Sequence, residues 1–281
     1  MTLLVFSGNQ GKVKEIASIF ANSGKQVMCL KDIPSGLPTW EDVEEPHNYF
    51  LGNAAEKLLG ALAYVHKLEE VGFHDITEVL VDDSGLCVPE LGGEPGVFSA
   101  RYAGIGATDR QNNQKLSEAI KKHFNDENSR GNSPMPGTLP AFFISLILRV
   151  RVPKKVIHKL STTVDNFLGY NHLKQQDKYL YEQAKLACAG KNTVHFGLRL
   201  LLQWDHFFPG VKFDELVKIE TLFGASFGQV IQEPKGSQGF GYDPHFVGNA
   251  YPDRSYAELS SEQKNAVSHR GAALRQLSLS E

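Results

Sequence analysis

A buried strand, a glycine-containing turn and a helix follow one another at the start of the chain, and this order constrains the fold most. Residues 3–6 (LLVF) are apolar and predict the strand. The turn spans residues 7–12 (SGNQGK). After it, apolar residues recur at helical spacing, namely Val13, Ile16, Ala17, Ile19 and Phe20. A strand that leads through a tight turn into a helix is typical of α/β proteins.

Strand and helix patterns continue to alternate, which indicates an α/β fold. Helices are predicted over residues 47–70, 109–124 and 177–190, the last closed by Gly190, and over a C-terminal helix opened by the capping box Ser260 and Gln263. Strands are predicted over residues 79–81, 141–152 and 218–231, and a polar, proline-containing loop over residues 125–140.

Charge and composition exclude several classes of protein. The chain has 281 residues and a net charge of −3, so nothing predicts a general attraction to nucleic acid or to an acidic membrane. No apolar run is long enough for a membrane span. The cysteines Cys29, Cys87 and Cys188 are scattered and lack CxxC spacing, which fits a reducing compartment. We therefore expect a soluble cytoplasmic protein without a nucleic-acid or membrane partner.

The glycine turn has two possible interpretations. It is not a Walker A loop, because Gly8 and Gly11 are only two residues apart and Val13 follows Lys12. The amides and the dipole of a helix N-terminus can nevertheless hold an anion, and Lys12 adds a full charge. A plain strand-to-helix turn with a solvated lysine is the alternative.

The stretch VDDSG places Asp82 and Asp83 where the strand over residues 79–81 is expected to end, followed by a Ser-Gly turn. Ligands of open α/β sheets bind at such edges. Adjacent carboxylates suit Mg²⁺, and one of them could instead take a proton from water. Asp-Asp-Ser-Gly is also ordinary turn sequence, so both interpretations remain open.

Two further motifs are ambiguous alone. In GSQGFGYDP (236–244) an exposed Phe240 could stack on a nucleobase, or the glycines and aromatic rings could form a packed turn. In KNAVSHRG (264–271) the donors of Lys264, His269 and Arg270 could bind a ligand or form a solvated helix face. No HExxH motif and no GxSxG motif occurs, which argues against zinc chemistry and a serine nucleophile.

In order along the chain, these stretches closely resemble the inosine/xanthosine triphosphate pyrophosphatase family. The stretches are SGNQGK, EEPHNYFLGNAAEK, VDDSGLCVPELGGEPGVFSARYAG, GFGYDPHF and AELSSEQKNAVSHRGAAL. The resemblance covers roughly residues 1–124, 139–151 and 218–278. It implies an elongated, two-lobed mixed α/β fold with a central cleft, usually in a homodimer. It also implies Mg²⁺-dependent hydrolysis of deaminated purine nucleoside triphosphates (ITP, dITP, XTP) to the monophosphate and pyrophosphate.

The resemblance also implies roles for particular residues. The catalytic residues would be Asp83 as general base, with Lys12 and Lys57 contacting phosphates, and the metal would be held by Asp83 and Glu45. The triphosphate would lie on the turn formed by Ser7, Gly8, Asn9, Gln10, Gly11 and Lys12. The remaining substrate-binding residues would be Ser84, the stacking Phe240 with Gly241, Tyr242 and Asp243, and the purine-reading Lys264, His269 and Arg270.

The chemistry of the base explains why donors are expected there. Hypoxanthine and xanthine present a 6-oxo acceptor where adenine presents a 6-amino donor. Donors such as those of His269 and Arg270 would therefore favour the oxo bases, because adenine would leave them unpaired in a desolvated pocket. Guanine shares the 6-oxo group, so its rejection must depend on its 2-amino group.

The chain departs from the family pattern at two places. Family members commonly carry an acidic residue where this chain has Gly52, so metal binding here would rely on Glu45, Asp82 and Asp83. In addition, residues 153–217 form a partly helical insertion between two strands within what we expect to be a single two-lobed domain over residues 1–281. The insertion could pack as its own small helical cluster, alter a dimer contact or bind a partner.

Two other functions remain as alternatives. The chain could be a catalytically weakened nucleotide-binding or interaction protein, as Gly52 and the insertion would suggest. It could also be a pyrophosphatase of related fold that acts on modified pyrimidine nucleotides, although the GFGYDP and SHRG motifs argue against this.

Overall fold

The computed structural model describes residues 1–21, 23–130, 137–152, 169–189, 193–203 and 218–278. The helices are α1 (Gln10–Phe20), α2 (Phe50–Glu70), α3 (Asp109–Ser129), α4 (Gly169–Cys188), α5 (Ser261–Val267) and α6 (His269–Ser278). The strands are β1 (Thr2–Val5), β2 (Gln26–Cys29), β3 (Ile76–Cys87), β4 (Thr138–Arg151), β5 (His195–Gln203), β6 (Lys218–Ile231) and β7 (Phe246–Gly248). The predicted mixed α/β fold is therefore confirmed.

The described strands form one mixed sheet in the order β2-β1-β3-β4-β6-β5, with β7 also paired to β6. Strands β2, β1 and β3 are parallel, whereas β3, β4, β6 and β5 pair in antiparallel fashion. Strands β5 and β7 follow one another along the same edge of β6. The short strand β1 ends opposite Leu80, so β3 continues beyond the parallel part of the sheet.

The core lies on both faces of this sheet. Helices α2 and α4 pack on one face, and α1 and α6 cover the other. A separate apolar cluster joins α3 to the far ends of β4 and β6 and to β7. The long strands β3, β4 and β6 therefore connect two packed regions, and the cleft between them holds the residues described below.

The prediction that the strand over residues 79–81 ends before Asp82 and Asp83 is wrong. Strand β3 continues from Ile76 to Cys87 because β4 pairs with it from Glu78 to Cys87 without interruption. Its Gly85 is not a turn residue. A Cβ there would lie 2.2 Å from the carbonyl oxygen of Gly96, so glycine allows the following loop to approach the strand.

The remaining boundaries differ in detail. The predicted loop over residues 125–140 is partly wrong, since α3 extends to Ser129 and β4 begins at Thr138. The capping box of Ser260 and Gln263 is confirmed. The C-terminal helix, however, is interrupted at Ser268, which adopts an extended backbone conformation. The predicted helix end at Gly190 lies outside the described residues.

The segment between β4 and β6 contains a strand as well as a helix. Strand β5 pairs with β6 along its full length, and α4 packs against α2, β4 and β6. The described part of the segment thus joins the main sheet and core, and it does not form a separate helical cluster. That this segment is an insertion in a single domain stays a prediction.

Alternating charges cross the antiparallel strands and align them. Glu78 on β3 pairs with Lys25 at 3.1 Å and with Arg149 on β4 at 2.9 Å. Arg149 also lies 3.0 Å from Glu220 on β6, which pairs with Arg199 on β5. Because a one-residue slip of any strand would move its charge to the other face of the sheet, this ladder fixes the register up to β5.

Candidate active site

Most of the predicted site residues line a single cavity of about 400 Å³ between the two packed regions. They come from the turn after β1, the segment before α2, the first turns of α2, the middle of β3, the loop before β7, and helices α5 and α6. The predicted residues on its wall are Ser7, Gly8, Asn9, Lys12, Glu45, Lys57, Asp83, Ser84, Phe240, Gly241, Tyr242, Asp243, Lys264, His269 and Arg270.

Gln10 and Gly11, which were predicted to hold the triphosphate, do not line the cavity, although they share the first turn of α1 with Lys12, which does. Asn9 caps this helix, with its Oδ1 accepting a hydrogen bond from the Lys12 amide at 3.1 Å. The Asn9 amide itself donates to Ser7 Oγ at 3.2 Å. Two of the amides that the turn could offer to an anion are thus already bound, and Lys12 Nζ adds a positive charge beside them.

Asp82 holds cations on one side of β3. Its carboxylate lies 3.0 Å from Lys12 Nζ and 3.2 Å from an Arg270 nitrogen, and it accepts a hydrogen bond from Ser145 Oγ at 2.5 Å. Burial alone would raise the pKa of Asp82, but Lys12, Arg270 and the Ser145 hydroxyl hold it far below its usual range. Asp82 is therefore held as a carboxylate that Lys12, Arg270 and Ser145 already engage, which makes it a poor metal ligand.

Asp83 projects to the other side of β3, since neighbouring strand residues alternate. Its Oδ1 accepts a hydrogen bond from Lys57 Nζ at 2.8 Å, whereas its buried Oδ2 has no hydrogen-bond partner among the described residues. Burial raises the pKa of Asp83 above its ordinary value, although Lys57 and Lys12 oppose this, and Glu45 adds like charge. A buried carboxylate with a raised pKa and one unused oxygen is suited to accept a proton.

The carboxylates around Lys57 provide a donor set that suits Mg²⁺. Glu45 Oε1 lies 2.9 Å from Lys57 Nζ, so Lys57 joins Glu45 to Asp83. The unpartnered Asp83 Oδ2 is an oxygen of the kind that hard cations prefer. In the part of the chain that the structure describes, no group of three or more His, Cys, Asp or Glu side chains is arranged around a common metal position.

Glu45 belongs to a segment without regular structure that contacts the first turns of α2. Arg101 donates to the Glu45 carbonyl oxygen at 3.0 Å and lies 3.4 Å from its carboxylate. Two residues further on, the His47 amide donates to Asn53 Oδ1 at 3.0 Å, and the His47 ring contacts Glu56 at 3.0 Å. The first two turns of α2 therefore position both Lys57 and the segment that carries Glu45.

The other end of the cavity is aromatic and cationic. Phe240 packs against Gly11, where a Cβ would lie only 2.4 Å from the ring. Lys264 Nζ lies 4.5 Å from the ring centroid and pairs with Asp243, which also accepts a hydrogen bond from the Phe240 amide at 2.8 Å. Phe240 is thus fixed by its contacts with Gly11 at the start of α1, with Lys264 and with Asp243.

His269 is a neutral group in this cavity. Its ring stacks on Phe143 with centroids 4.7 Å apart and 14° between the planes, and its Nδ1 has no hydrogen-bond partner among the described residues. Burial and the nearby Arg270 lower the pKa of His269 well below its usual value. A neutral imidazole presents one donor and one acceptor, so His269 can donate a single hydrogen bond to a ligand.

Several residues of this site were missed by the sequence reasoning. Glu15 pairs with both Lys264 and Arg270, and it lies one turn after Lys12 on α1, a spacing that could have indicated it. Asp109 accepts a hydrogen bond from the Gly241 amide at 2.8 Å, and Asn113 donates to the Gly241 carbonyl oxygen at 2.9 Å. Trp40 and Phe143 also line the cavity, and nothing in their sequence context points to it.

Comparisons with known proteins identify the family of the chain. The model of the Ham1 family matches residues 3–133 and 212–279. The dITP/XTP pyrophosphatase of Aliarcobacter butzleri is 27% identical over 98% of this chain and 95% of its own length. That of Desulforamulus reducens is 30% identical over 98% of this chain and 92% of its own length. The solved structure of a HAM1 protein from Coxiella burnetii is 25% identical, with a TM-score of 0.58 over 99% of this chain and 97% of that chain.

In the described part of the chain, no helix combines the length and the hydropathy that crossing a membrane requires.

Proposed function

Because the chain belongs to the Ham1 family, we propose that it hydrolyses deaminated purine nucleoside triphosphates, with dITP, ITP and XTP as substrates, to the monophosphate and pyrophosphate. One observation carries the proposal. A single cavity joins Lys12, Lys57 and a buried, proton-accepting Asp83 at one end to Phe240 and the neutral His269 at the other. That arrangement matches a ligand with a polyanionic tail and an aromatic base.

In the reaction, the oxygen of one water molecule forms a bond to the α-phosphorus, the bond from that phosphorus to the bridging oxygen breaks, pyrophosphate leaves, and the water gives up a proton. Water is a poor nucleophile at neutral pH, so a positioned base accelerates its attack by ~10²–10⁴-fold. Asp83 accepts the proton in this scheme, because burial raises its pKa above the ordinary value. Lys12 and Lys57 hold the phosphate oxygens, on which negative charge develops.

Asp83 and Glu45 are the residues that would hold Mg²⁺, and Asp82 is not among them because Lys12, Arg270 and Ser145 engage it. When bound, the metal neutralises phosphate charge and polarises the scissile bond. A lysine ammonium group has three donors, so Lys12 and Lys57 can contact phosphate oxygens while they stay paired with Asp82 and Asp83.

Recognition of the base follows from what surrounds Phe240. The ring provides the stacking surface, and base–aromatic stacking contributes ~1–3 kcal/mol. His269 donates to the 6-oxo group. Because the imidazole is neutral, only the tautomer that carries its hydrogen on the nitrogen facing the base can make this bond. Arg270 binds Glu15, Asp82 and Ser84, so its main contribution is to fix that wall of the cavity.

The same proposal places the protein in the cytoplasm as a homodimer. All three cysteines lie in the described residues and none forms a disulfide, which suits a reducing compartment. Phe98 and Ile105 expose 46% and 99% of their surface on the loop beside the site, where a second copy could cover them. Light scattering after size-exclusion chromatography tests the dimer.

A substrate panel with product identification tests the activity. Purified protein with Mg²⁺ is given dITP, XTP, dGTP, dATP, dTTP and dUTP, and pyrophosphate and orthophosphate are measured separately. We expect pyrophosphate release from dITP and XTP at rates far above those of the other nucleotides. Faster turnover of dTTP or dUTP would favour a pyrimidine nucleotide pyrophosphatase, and nucleotide binding without turnover would favour a binding protein.

A further inference from the structure

Helix α4 presents an apolar stripe to the core, and one carboxylate interrupts it. Leu173, Leu180 and Ala184 are buried on that stripe, and Asp177, only 8% exposed, lies among them. A buried carboxylate is costly unless it is hydrogen-bonded. Asp177 Oδ1 accepts a hydrogen bond from the Leu51 amide at 2.7 Å, at the start of α2.

Helix α2 has no cap of its own. Its N-cap residue Tyr49 makes no side-chain cap hydrogen bond, and the first turn, which the structure describes completely, contains no acidic residue. Gly52 in that turn cannot easily be replaced by a larger residue. A Cβ there would lie 2.6 Å from Tyr49 Cζ and 2.8 Å from His47 Cγ. The carboxylate that satisfies this helix start therefore comes from α4.

We propose that Asp177 is a positioning residue of the active site: by capping α2 from outside, it holds the first turns of α2, and with them Lys57 and the segment carrying Glu45, in the geometry that the reaction needs. This inference rests on the proposed pyrophosphatase function. The hydrogen-bond path is short. From the capped turn, Asn53 binds the His47 backbone, and Lys57 binds Glu45 and Asp83. A role in catalysis through α2 is thereby assigned to the segment between β4 and β6.

The test compares Asp177→Ala, Asp177→Asn and the matched control Lys178→Ala, whose side chain lies on the exposed face of the same helix. For each variant, kcat and KM are measured with dITP, and binding of deoxyinosine monophosphate, which lacks the pyrophosphate, is measured by calorimetry. We expect Asp177→Ala to lower kcat about tenfold or more, since small displacements of positioned groups are costly. Its affinity for the monophosphate should stay within about twofold, because the base end does not depend on α2.

Asparagine keeps an oxygen that can accept the Leu51 hydrogen bond, so Asp177→Asn should recover most of the wild-type kcat. Lys178→Ala should match the wild type. An unchanged kcat in Asp177→Ala overturns the inference, and so does a loss of monophosphate binding in that variant, which would mean that Asp177 supports the whole fold. Failure of the wild-type protein to hydrolyse dITP is a separate result, and it would overturn the proposed function itself.

Discussion

Gly11 and Phe240 are in direct contact across the cavity wall, and the contact leaves no room for a side chain at position 11. An ideal Cβ at Gly11 would lie 2.4 Å from Phe240 Cδ1 and 2.8 Å from Cε1. The glycine turn and the aromatic loop are thus fitted to each other, although they are more than two hundred residues apart in sequence. The orientation of the proposed stacking ring is set by a residue that does not itself line the cavity.

Gly11→Ala should therefore weaken nucleotide binding by displacing the Phe240 ring. We expect KM for dITP to rise about tenfold with a smaller change in kcat, and Phe240→Ala to have the same effect, since stacking contributes ~1–3 kcal/mol. Gly137→Ala is the matched control, because a Cβ at Gly137 meets nothing within 4 Å. Steady-state kinetics on the three variants checks this, and an unaltered KM in Gly11→Ala would argue against Phe240 as the stacking residue.

Asp83→Asn should abolish most turnover while the protein stays folded. Loss of a general base lowers kcat by ~10²–10⁴-fold. Binding of deoxyinosine monophosphate should persist, because Phe240, Lys264 and His269 are untouched. Single-turnover hydrolysis and calorimetry measure the two effects. A variant with nearly the wild-type rate would remove Asp83 from the role of base.

Asp82→Asn should lower the free energy of unfolding more than Asp83→Asn does. Asp82 is an ionised, buried partner of Lys12 and Arg270, and removing one member of a buried pair costs about 3–5 kcal/mol. Asp83 has a raised pKa, so its ionised form is disfavoured in the folded protein and an amide there costs less. Urea denaturation of both variants tests the order, and a larger loss for Asp83→Asn would contradict it.

The stability contributed by Asp177 should depend on pH. Burial, with a further contribution from Asp83, raises the pKa of Asp177 to about 7, despite the hydrogen bond from Leu51. A carboxyl with a raised pKa stabilises the fold at low pH and loses that contribution as pH rises through the folded value. Relative to Asp177→Asn, the free energy of unfolding of the wild type should fall by about 1.4 kcal/mol per pH unit between roughly pH 4 and pH 7. Above about pH 7 the difference between the two proteins should change little. Denaturation curves of the two proteins across this range give the difference, and parallel pH dependences would refute the expectation.

The local elements of the fold could be predicted because their causes are local. Strand β6 and the capping box at Ser260 follow from periodicity and from residue types within a few positions. The continuation of β3 through Asp82 and Asp83 could not be predicted, because it depends on pairing with β4, some sixty residues away. Without that partner strand, the sequence Asp-Asp-Ser-Gly is typical of a turn.

The residues of the site could be predicted from the sequence better than the contacts between them. Lys57 and Asp83 could be named from the sequence, but their 2.8 Å hydrogen bond, and the assignment of Asp82 to a different face of the strand, required the sheet. Phe143 and Asp109 approach the site only through tertiary packing. Asp177 sits in a helical stripe that sequence periodicity would assign to the core, so its contact with α2 is visible only in three dimensions.

The pairing of β5 with β6 has a consequence for any shortened version of this protein. Strand β5 covers the edge of β6 from Lys218 to Ser226, and Arg199 closes the row of alternating charges there. If β4 were joined directly to β6, the backbone amides and carbonyls of β6 that now pair with β5 would be open to solvent. Open edges of this kind recruit strands from neighbouring molecules, so deletion of the segment should favour self-association in addition to removing the contact of Asp177 with α2.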